Sequence, residues 1–572
     1  MAASGDNTRM NWGLTPIAYD GTRTPLKTAL FLVVCFAWLL PGLVGHDPWK
    51  FDEGIVFGIV TEMLKSGDWL QFRIAGEPYF DKAPLFMWVA AIFAKALGGV
   101  MPLHDAARLA TGFFMGVTLA FLSLASFEVM RDRAVRLGVL LFIGCLGLLL
   151  RAHEMSTDLA GLAGVSMGLY GLALAARRPK LGGLFAGLGV GVGFLGNGFL
   201  PAGMLVGLMA LLPATSAFWR TRQYALTVAI AVATAVPVAA TWPLALASVS
   251  PIHLQVWLDH AAANRWSEPF THDDGMEMLY FTRILPWYAW PAWPLAAWAL
   301  WRARRNLPDR RDLMFPLIAF LAFFLVASVF GDARDPNGLA LLLPLAILGA
   351  AELDALPRGA ASALDWFGMM TFLSLGAVLW VSYFAALTGS PEFAATMVAK
   401  EVPGFKYRFS FIPFALAALL TLIWLVVVAR SLRSTRRALV NWAAGITMVW
   451  MLMMTLGLPL VDEVRSYRRV SARIVEELPQ GFNCIAGKGL GDPQRALLDY
   501  FAGIRTLREE FPASSRCGAL LVQASPLKVP KVGPEWKEKW RGSRTADRNE
   551  LFILYHRIAP SPAVPQPVRS NA

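Results

Sequence analysis

The sequence predicts an α-helical polytopic membrane protein that ends in a small α/β domain. Two observations carry this. Of its 572 residues 56% are hydrophobic and only 16% charged, with a mean hydropathy of +0.49; soluble domains carry about 25% charge. Beyond about residue 460 the long apolar runs stop, and short β-like runs alternate with a helical stretch. The net charge of +12 does not point to nucleic acid. The basic residues fall in short runs between apolar segments, as in cytoplasmic loops.

The first 27 residues are polar and read as a cytoplasmic segment, and the first apolar stretch reads as a retained anchor. Basic flanks at Arg23/Lys27, Arg131–Arg136, Arg177-Arg178, Arg220–Arg222, Arg302–Arg311, Arg358 and Arg430–Arg437 all belong inside by the positive-inside rule. A full crossing at 84–98 would invert every later loop. Pro84 and Gly98 bracket that segment as an N1 proline and a C′ glycine, and its 14 or so helical residues reach only about 21 Å. It is therefore expected to be interfacial or re-entrant. About thirteen spans remain, near 28–45, 107–130, 134–150, 158–176, 181–196, 198–213, 223–247, 283–302, 312–330, 338–352, 363–387, 409–430 and 438–459. The glycine-rich span at 181–196 suits close helix packing. The N-terminus is then cytoplasmic and the C-terminus external. The membrane domain is 28–459 and the external α/β domain 460–560, with strands near 482–486, 519–523 and 551–556 and a helix near 493–502. Residues 561–572, rich in Pro and Ser, are expected to be disordered.

The first external loop, 46–106, holds the densest information. Ile55, Ile59 and Met63, with Val56, Val60 and Leu64, recur at helical spacing, and Glu62 and Lys65 lie off that stripe. The pattern predicts an amphipathic helix on the membrane surface, with Asp52 at its N-cap and Gly67 at its stop. The external side also collects Glu53, Tyr79, Asp81, Lys82, Arg151, His153, Glu154, Asp158, Asn197 and Arg334. Each alone reads as an ordinary loop charge or cap. Together they are costly at membrane depth unless paired or functional. Carboxylates beside Lys and Arg could activate an attacking hydroxyl while the cations hold a lipid phosphate. A lone phosphate so neutralised requires no metal, and no CxxC or HExxH pattern supplies one. No cofactor is expected; a divalent metal is compatible but not required. Cys35 and Cys145 fall in apolar segments and read as packing residues. Cys484 and Cys517 fall in the tail, where an oxidising compartment would join them.

Asp52-Glu53, then Ser66-Gly67-Asp68-Trp69, then Tyr79-Phe80-Asp81-Lys82-Ala83-Pro84 resemble, in order and spacing, the first loop of the polyprenyl-phosphate-sugar-dependent glycosyltransferases of the GT-C fold. The likeness is to the aminoarabinose transferase and protein O-mannosyltransferase group, and covers most of the chain. It implies an inverting enzyme of the bacterial inner membrane, moving a sugar from an undecaprenyl-phosphate-type donor to a lipid, glycan or protein acceptor, as in lipid A modification or protein glycosylation. By the same resemblance Asp52 is the base, Lys82 helps bind the carrier phosphate with Tyr79 and Asp81 beside it, and Asp158, with Glu154 next to it, is a second external acid; Glu53 joins the catalytic candidates, and His153, Glu154, Asn197 and Arg334 the substrate-binding ones, from their place on the external side. The chain departs from the family at Ile55 (usually Arg), Ala83 (usually Pro), Asn197-Gly198 (usually Lys-Gly), and Arg334-Asp335-Pro336-Asn337, which lacks a Tyr. Two expected phosphate or sugar contacts are thereby missing. The alternatives are a transporter or flippase of lipid-linked glycans, and a non-catalytic relative. A transporter calls for repeat symmetry and mid-membrane charges, whereas the charges here gather on one face.

Overall fold

The structure, a computed structural model, describes residues 25–49, 51–130, 135–259, 279–430, 435–478 and 482–558. The polar segment before residue 25, the basic runs at 131–133 and 431–434, part of the 248–282 loop, and the 561–572 tail lie outside the described residues.

Helices make up the membrane part. In chain order they are α1 (Pro25–Leu39), α2 (Asp52–Ser66), α3 (Leu85–Leu97), α4 (Leu103–Met130), α5 (Val135–Ile143), α6 (Leu146–Arg151), α7 (Thr157–Ala175), α8 (Pro179–Asn197), α9 (Phe199–Thr215), α10 (Arg222–Val249), α11 (Pro251–Leu258), α12 (Tyr280–Tyr288), α13 (Ala292–Ala303), α14 (Arg311–Phe330), α15 (Leu339–Ala351), α16 (Arg358–Thr388), α17 (Glu392–Glu401), α18 (Phe411–Arg430) and α19 (Thr435–Leu452). Among the described residues eight helical stretches are long and apolar enough to cross a membrane, including the run that begins with α19. The protein is a multi-pass membrane protein. α1, α3, α9 and the helix ending at Ala351 are apolar but shorter. α3 has 13 residues, so the segment at 84–98 is short, as expected, although Pro84 is its cap rather than its first residue.

Two expected single spans are each two helices. The 134–150 segment breaks at Cys145, whose backbone is extended, and the 283–302 segment breaks at 289–291. The breaks meet: the Leu146 N–H donates to the Trp290 carbonyl at 3.1 Å. Each supplies a partner for backbone groups that the other's kink would leave bare in lipid. Gly147 lies so close to the Tyr288 ring that a Cβ would come within 2.2 Å of it.

α7 and α8 form a hairpin zipped by small residues. A Cβ on Gly164 would meet the Gly193 nitrogen at 2.3 Å, and one on Gly189 the Gly168 nitrogen at 2.3 Å. Backbone contact of this kind drives helix association where no hydrophobic effect operates. It brings Asp158, at the start of α7, beside Asn197, at the end of α8.

The chain leaves the membrane part through α20 (Leu458–Arg465) and α21 (Arg468–Glu477) and builds a five-stranded sheet. Its strands are β3 (Ile485–Lys488), β4 (Thr506–Arg508), β5 (Ala519–Ala524), β6 (Trp536–Gly542) and β7 (Leu551–Arg557), in the order β4-β3-β5-β7-β6; β1 and β2 are a two-residue ribbon at Arg73–Ile74 and Glu77–Pro78. β3 runs parallel to β4 and β5, and β7 antiparallel to β5 and β6. β4, β6 and α21 are additions to the elements expected from sequence. A disulfide joins Cys484 to Cys517.

α2 is not a surface helix. Residues from both of its faces are buried, Glu62 and Thr61 as well as Val56, Ile59 and Met63. One side packs on α3 and α4, and the other is covered by α22 (Asp492–Ala502) of the C-terminal domain. Gly54 and Gly58 form the groove that admits α22: a Cβ on Gly58 would meet the Ala496 Cβ at 2.5 Å. The off-stripe charges are the docking contacts, with Lys65 on Asp499 at 3.0 Å and Glu62 on Arg505. Gly58→Ala is expected to cost about 1–3 kcal/mol by overpacking, read as a lower thermal midpoint. Adding Ala496→Gly, which returns the missing space, should recover most of it; an unchanged double variant would show that this contact does not hold the domain.

Candidate active site

The loops at one end of the bundle, with Arg465 of α20, line a cavity of about 1120 Å³. Its wall is drawn from distant parts of the chain: Asp52 at the start of α2, Tyr79 and Asp81–Ala83 from the first loop, Arg151 and Glu154, Asn197–Leu200, Trp257, Tyr280, 330–337, and Arg465.

Asp52 is the first residue of α2, not its cap; Phe51 occupies the cap position with helical dihedrals and no capping bond. The carboxylate is therefore free of the backbone and turns to cations. Lys82 Nζ donates to Oδ1 at 3.2 Å and Arg334 Nη2 to Oδ2 at 3.4 Å. Burial alone would push the Asp52 pKa up. Lys82 and Arg334, with Arg151 behind them, outweigh it and hold the group below the ordinary carboxylate value. Lys82 is itself buried, its side chain 9% exposed. Tyr79 borders the same space; burial and the nearby Asp81 push its hydroxyl up, so it stays protonated.

A second ionic group comes from the paired helix breaks. Arg151, at the end of α6, donates to Glu154 at 2.9 Å and to Asp335 at 3.4 Å. Asp335 also accepts from the Tyr280 hydroxyl, and its carbonyl accepts from the Tyr288 hydroxyl at 2.8 Å. Tyr280 thus puts a phenol next to Arg334-Asp335, where the sequence motif has none. Glu154 is unlike Asp52. Burial dominates and, with Glu53 and Asp52 nearby, pushes it up to about 7 in spite of Arg151.

Four expected site residues do not present a free group to the cavity. Glu53 reaches the wall, but both its oxygens are taken: Oε1 by Arg108 Nε at 3.0 Å and the Met155 N–H at 3.1 Å, Oε2 by the Trp49 N–H at 3.0 Å. Asp158 does not line the cavity; it accepts from Asn197 Nδ2 at 2.8 Å and from the Ser156 hydroxyl at 2.6 Å. Asn197 does line it, but its amide is spent on Asp158 and on the Thr157 hydroxyl at 3.1 Å. His153 is buried between Trp38 and Trp450, its nitrogens 2.7 Å from the Leu149 carbonyl and 2.9 Å from the Trp38 carbonyl; burial pushes it down to about 4 and keeps it neutral. Sequence reasoning passed over Tyr280, Arg465, Trp49 and Trp257. Only Tyr280 carried a signal, as an aromatic at the edge of an apolar segment.

The arrangement has the overall shape of the crystal structure of ArnT from Cupriavidus metallidurans bound to undecaprenyl phosphate, with a TM-score of 0.65 over 93% of this chain and 98% of that one, at 19% identity. The chain has the GT-C fold. The chain is also similar in sequence to curated proteins named undecaprenyl phosphate-alpha-4-amino-4-deoxy-L-arabinose arabinosyl transferase. It is 27% identical to that of Serratia proteamaculans over 57% of this chain and 59% of the relative, and 29% identical to the first such transferase of Sodalis glossinidius over 52% and 54%. The match with the Edwardsiella ictaluri protein is 26% identical over 79% of both. With the first two, the chain spans little more than half the relatives' own length. No family profile matches the chain. These likenesses agree with the resemblance read from Asp52-Glu53 and Tyr79–Pro84.

Glu154 gives the site a pH signature. A carboxyl whose native value is raised binds its proton more tightly when folded, so stability falls as pH rises from its unfolded value near 4.5 through about 7. Infrared spectra at pH 6 should show a protonated carboxylic acid that disappears by pH 8 and is missing from Glu154→Gln. A Glu154→Gln spectrum that keeps the same band at pH 6 would place that proton elsewhere.

Proposed function

We propose that this protein transfers a sugar from a polyprenyl-phosphate carrier of the undecaprenyl type to a lipid, glycan or protein acceptor, in the bacterial inner membrane. The active cavity faces the extracytoplasmic side and the N-terminus the cytoplasm. The observation that carries this reading is Asp52 held between Lys82 and Arg334 inside a cavity large enough for a phosphosugar. The names of the curated relatives support the donor class, and the Cys484–Cys517 disulfide supports an oxidising compartment for the tail.

Held by Lys82 and Arg334, Asp52 is a poor base, because each oxygen faces a cation. A carrier phosphate is a stronger partner for Lys82 and Arg334 than a carboxylate. As it takes them over, its negative charge offsets theirs, and the Asp52 pKa rises. Donor binding thus prepares the proton acceptor. The acceptor hydroxyl then attacks the anomeric carbon on the face opposite the phosphate and passes its proton to Asp52. The bond from that carbon to the phosphate oxygen breaks, and the phosphate keeps the electron pair beside Lys82 and Arg334. A single direct displacement inverts the anomeric centre, by analogy with inverting hydrolases. Glu53 and Asp158 act in this scheme by position: Glu53 fixes the start of α2, and Asp158 ties α7 to Asn197 on α8. Tyr79, Asp81 and Tyr280 border the phosphosugar. Arg151 gives a further positive charge, and Glu154 a proton-holding group on the same wall.

The two main roles fail differently. Asp52→Asn removes the proton acceptor and also a competitor for Lys82 and Arg334. It should bind undecaprenyl phosphate at least as tightly as the wild type, while turnover falls by about 100- to 10,000-fold, the usual worth of a general base. Lys82→Ala should weaken carrier binding. Carrier binding by equilibrium titration and single-turnover transfer separate the two. A folded Asp52→Asn protein with near-normal transfer would move the proton acceptor to Glu154.

A further inference from the structure

Four cations line the cavity among the described residues, and three have carboxylate partners. Lys82 and Arg334 share Asp52, and Arg151 lies between Glu154 and Asp335. The fourth, Arg465, has no carboxylate partner among the described residues. It is exposed to the cavity, and its guanidinium lies 5.1 Å from the centre of the Trp49 ring.

That position is built. The Trp49 backbone N–H donates to Glu53, and its indole N–H donates to Asp462 at 2.9 Å. His46 stacks on the ring at 4.1 Å. Asp462 and Arg465 are one turn apart on α20, so a single helix face both pins the indole and lays the guanidinium over it. The end of α20 is fixed in turn: Arg544 of the C-terminal domain donates to the carbonyls of Val464, at 3.4 Å, and Arg465, at 3.1 Å. A guanidinium stacked on an aromatic face keeps its edge N–H groups free for an anion.

We propose that Arg465 on Trp49 is a second anion subsite of this cavity, which takes a phosphate or carboxylate carried by the acceptor. The assignment to the acceptor rests on the transferase reading above. The carrier's own phosphate is provided for by Lys82 and Arg334, so a further unpaired cation fits a second negative group. The same chemistry could come from the second phosphate of a diphosphate carrier, and the test separates the two.

The experiment uses the full-length protein in nanodiscs, with glucose 1-phosphate as a soluble acceptor-like anion and glucose as its neutral control. With the carrier site filled by undecaprenyl phosphate, the wild type should bind glucose 1-phosphate in preference to glucose. Arg465→Gln should weaken that binding by about tenfold or more, the worth of a charge-assisted hydrogen bond, with undecaprenyl phosphate affinity unchanged within about twofold. Arg465→Lys should retain part of it. Unchanged glucose 1-phosphate binding in Arg465→Gln would overturn the subsite. A selective loss of undecaprenyl diphosphate over undecaprenyl phosphate would overturn the acceptor assignment and give the cation to the donor. If the wild type binds no undecaprenyl phosphate, the transferase reading fails by itself. Glucose 1-phosphate binding in the Lys82→Ala background, with and without Arg465→Gln, still decides whether Arg465 holds an anion.

Discussion

A single buried guanidinium sets the geometry of this end of the molecule. Arg108, in the second turn of α4, is fully buried. Uncompensated, such a charge would cost several kcal/mol at the least. It is satisfied by Glu53 Oε1, Asp105 Oδ1 at 2.9 Å, and the carbonyls of His46 and Asp47. The chain from 46 to 53 therefore wraps around one side chain. Glu53, fixed by it, also takes the N–H groups of Trp49 and Met155, which ties the first loop to the turn carrying Arg151 and Glu154. Asp52 is one residue away. Removing Arg108 would leave Glu53 and Asp105 buried and unpaired, the costly direction for a buried pair.

The rest of the cavity wall is positioned by departures from regular helix. Two expected spans break side by side, and the Leu146 N–H of one donates to the Trp290 carbonyl of the other. Arg151 ends one fragment and Tyr288 the other, and both reach Asp335. Non-helical backbone within a membrane is tolerated where it is buried in protein, and Cys145 and Ala289, at the two breaks, are fully buried.

These facts explain what was readable in the sequence. Asp52 and Lys82 were legible because local order and spacing carry them: a pair of acids opening a periodic helix, then a short aromatic-acid-lysine run. Hydropathy carried the polytopic class, and the glycines at 182–193 announced a close-packed hairpin. The unreadable part depends on partners far along the chain. Whether Glu53 is free or spent is decided by Arg108, 55 residues on, and by Met155, 102 residues on. Asp158 looked available until Asn197, 39 residues away, closed on it. The amphipathic pattern of α2 correctly marks one buried face, but a polar face bound by another domain has the same periodicity as one facing water. A break inside an apolar run leaves little trace when both halves stay apolar.

The docking of α22 against α2 has a consequence for biogenesis. The groove at Gly54 and Gly58, with Glu62 and Lys65 beside it, is made early in synthesis. Its partners Asp499 and Arg505 follow 434 and 443 residues later. Until they emerge, the wall behind Asp52 is unfinished and Arg465 has no Arg544 to fix its helix. A nascent chain therefore sits in the membrane before it owns a complete cavity. The cavity is completed in one late step, when a late-made domain closes on an early-made helix.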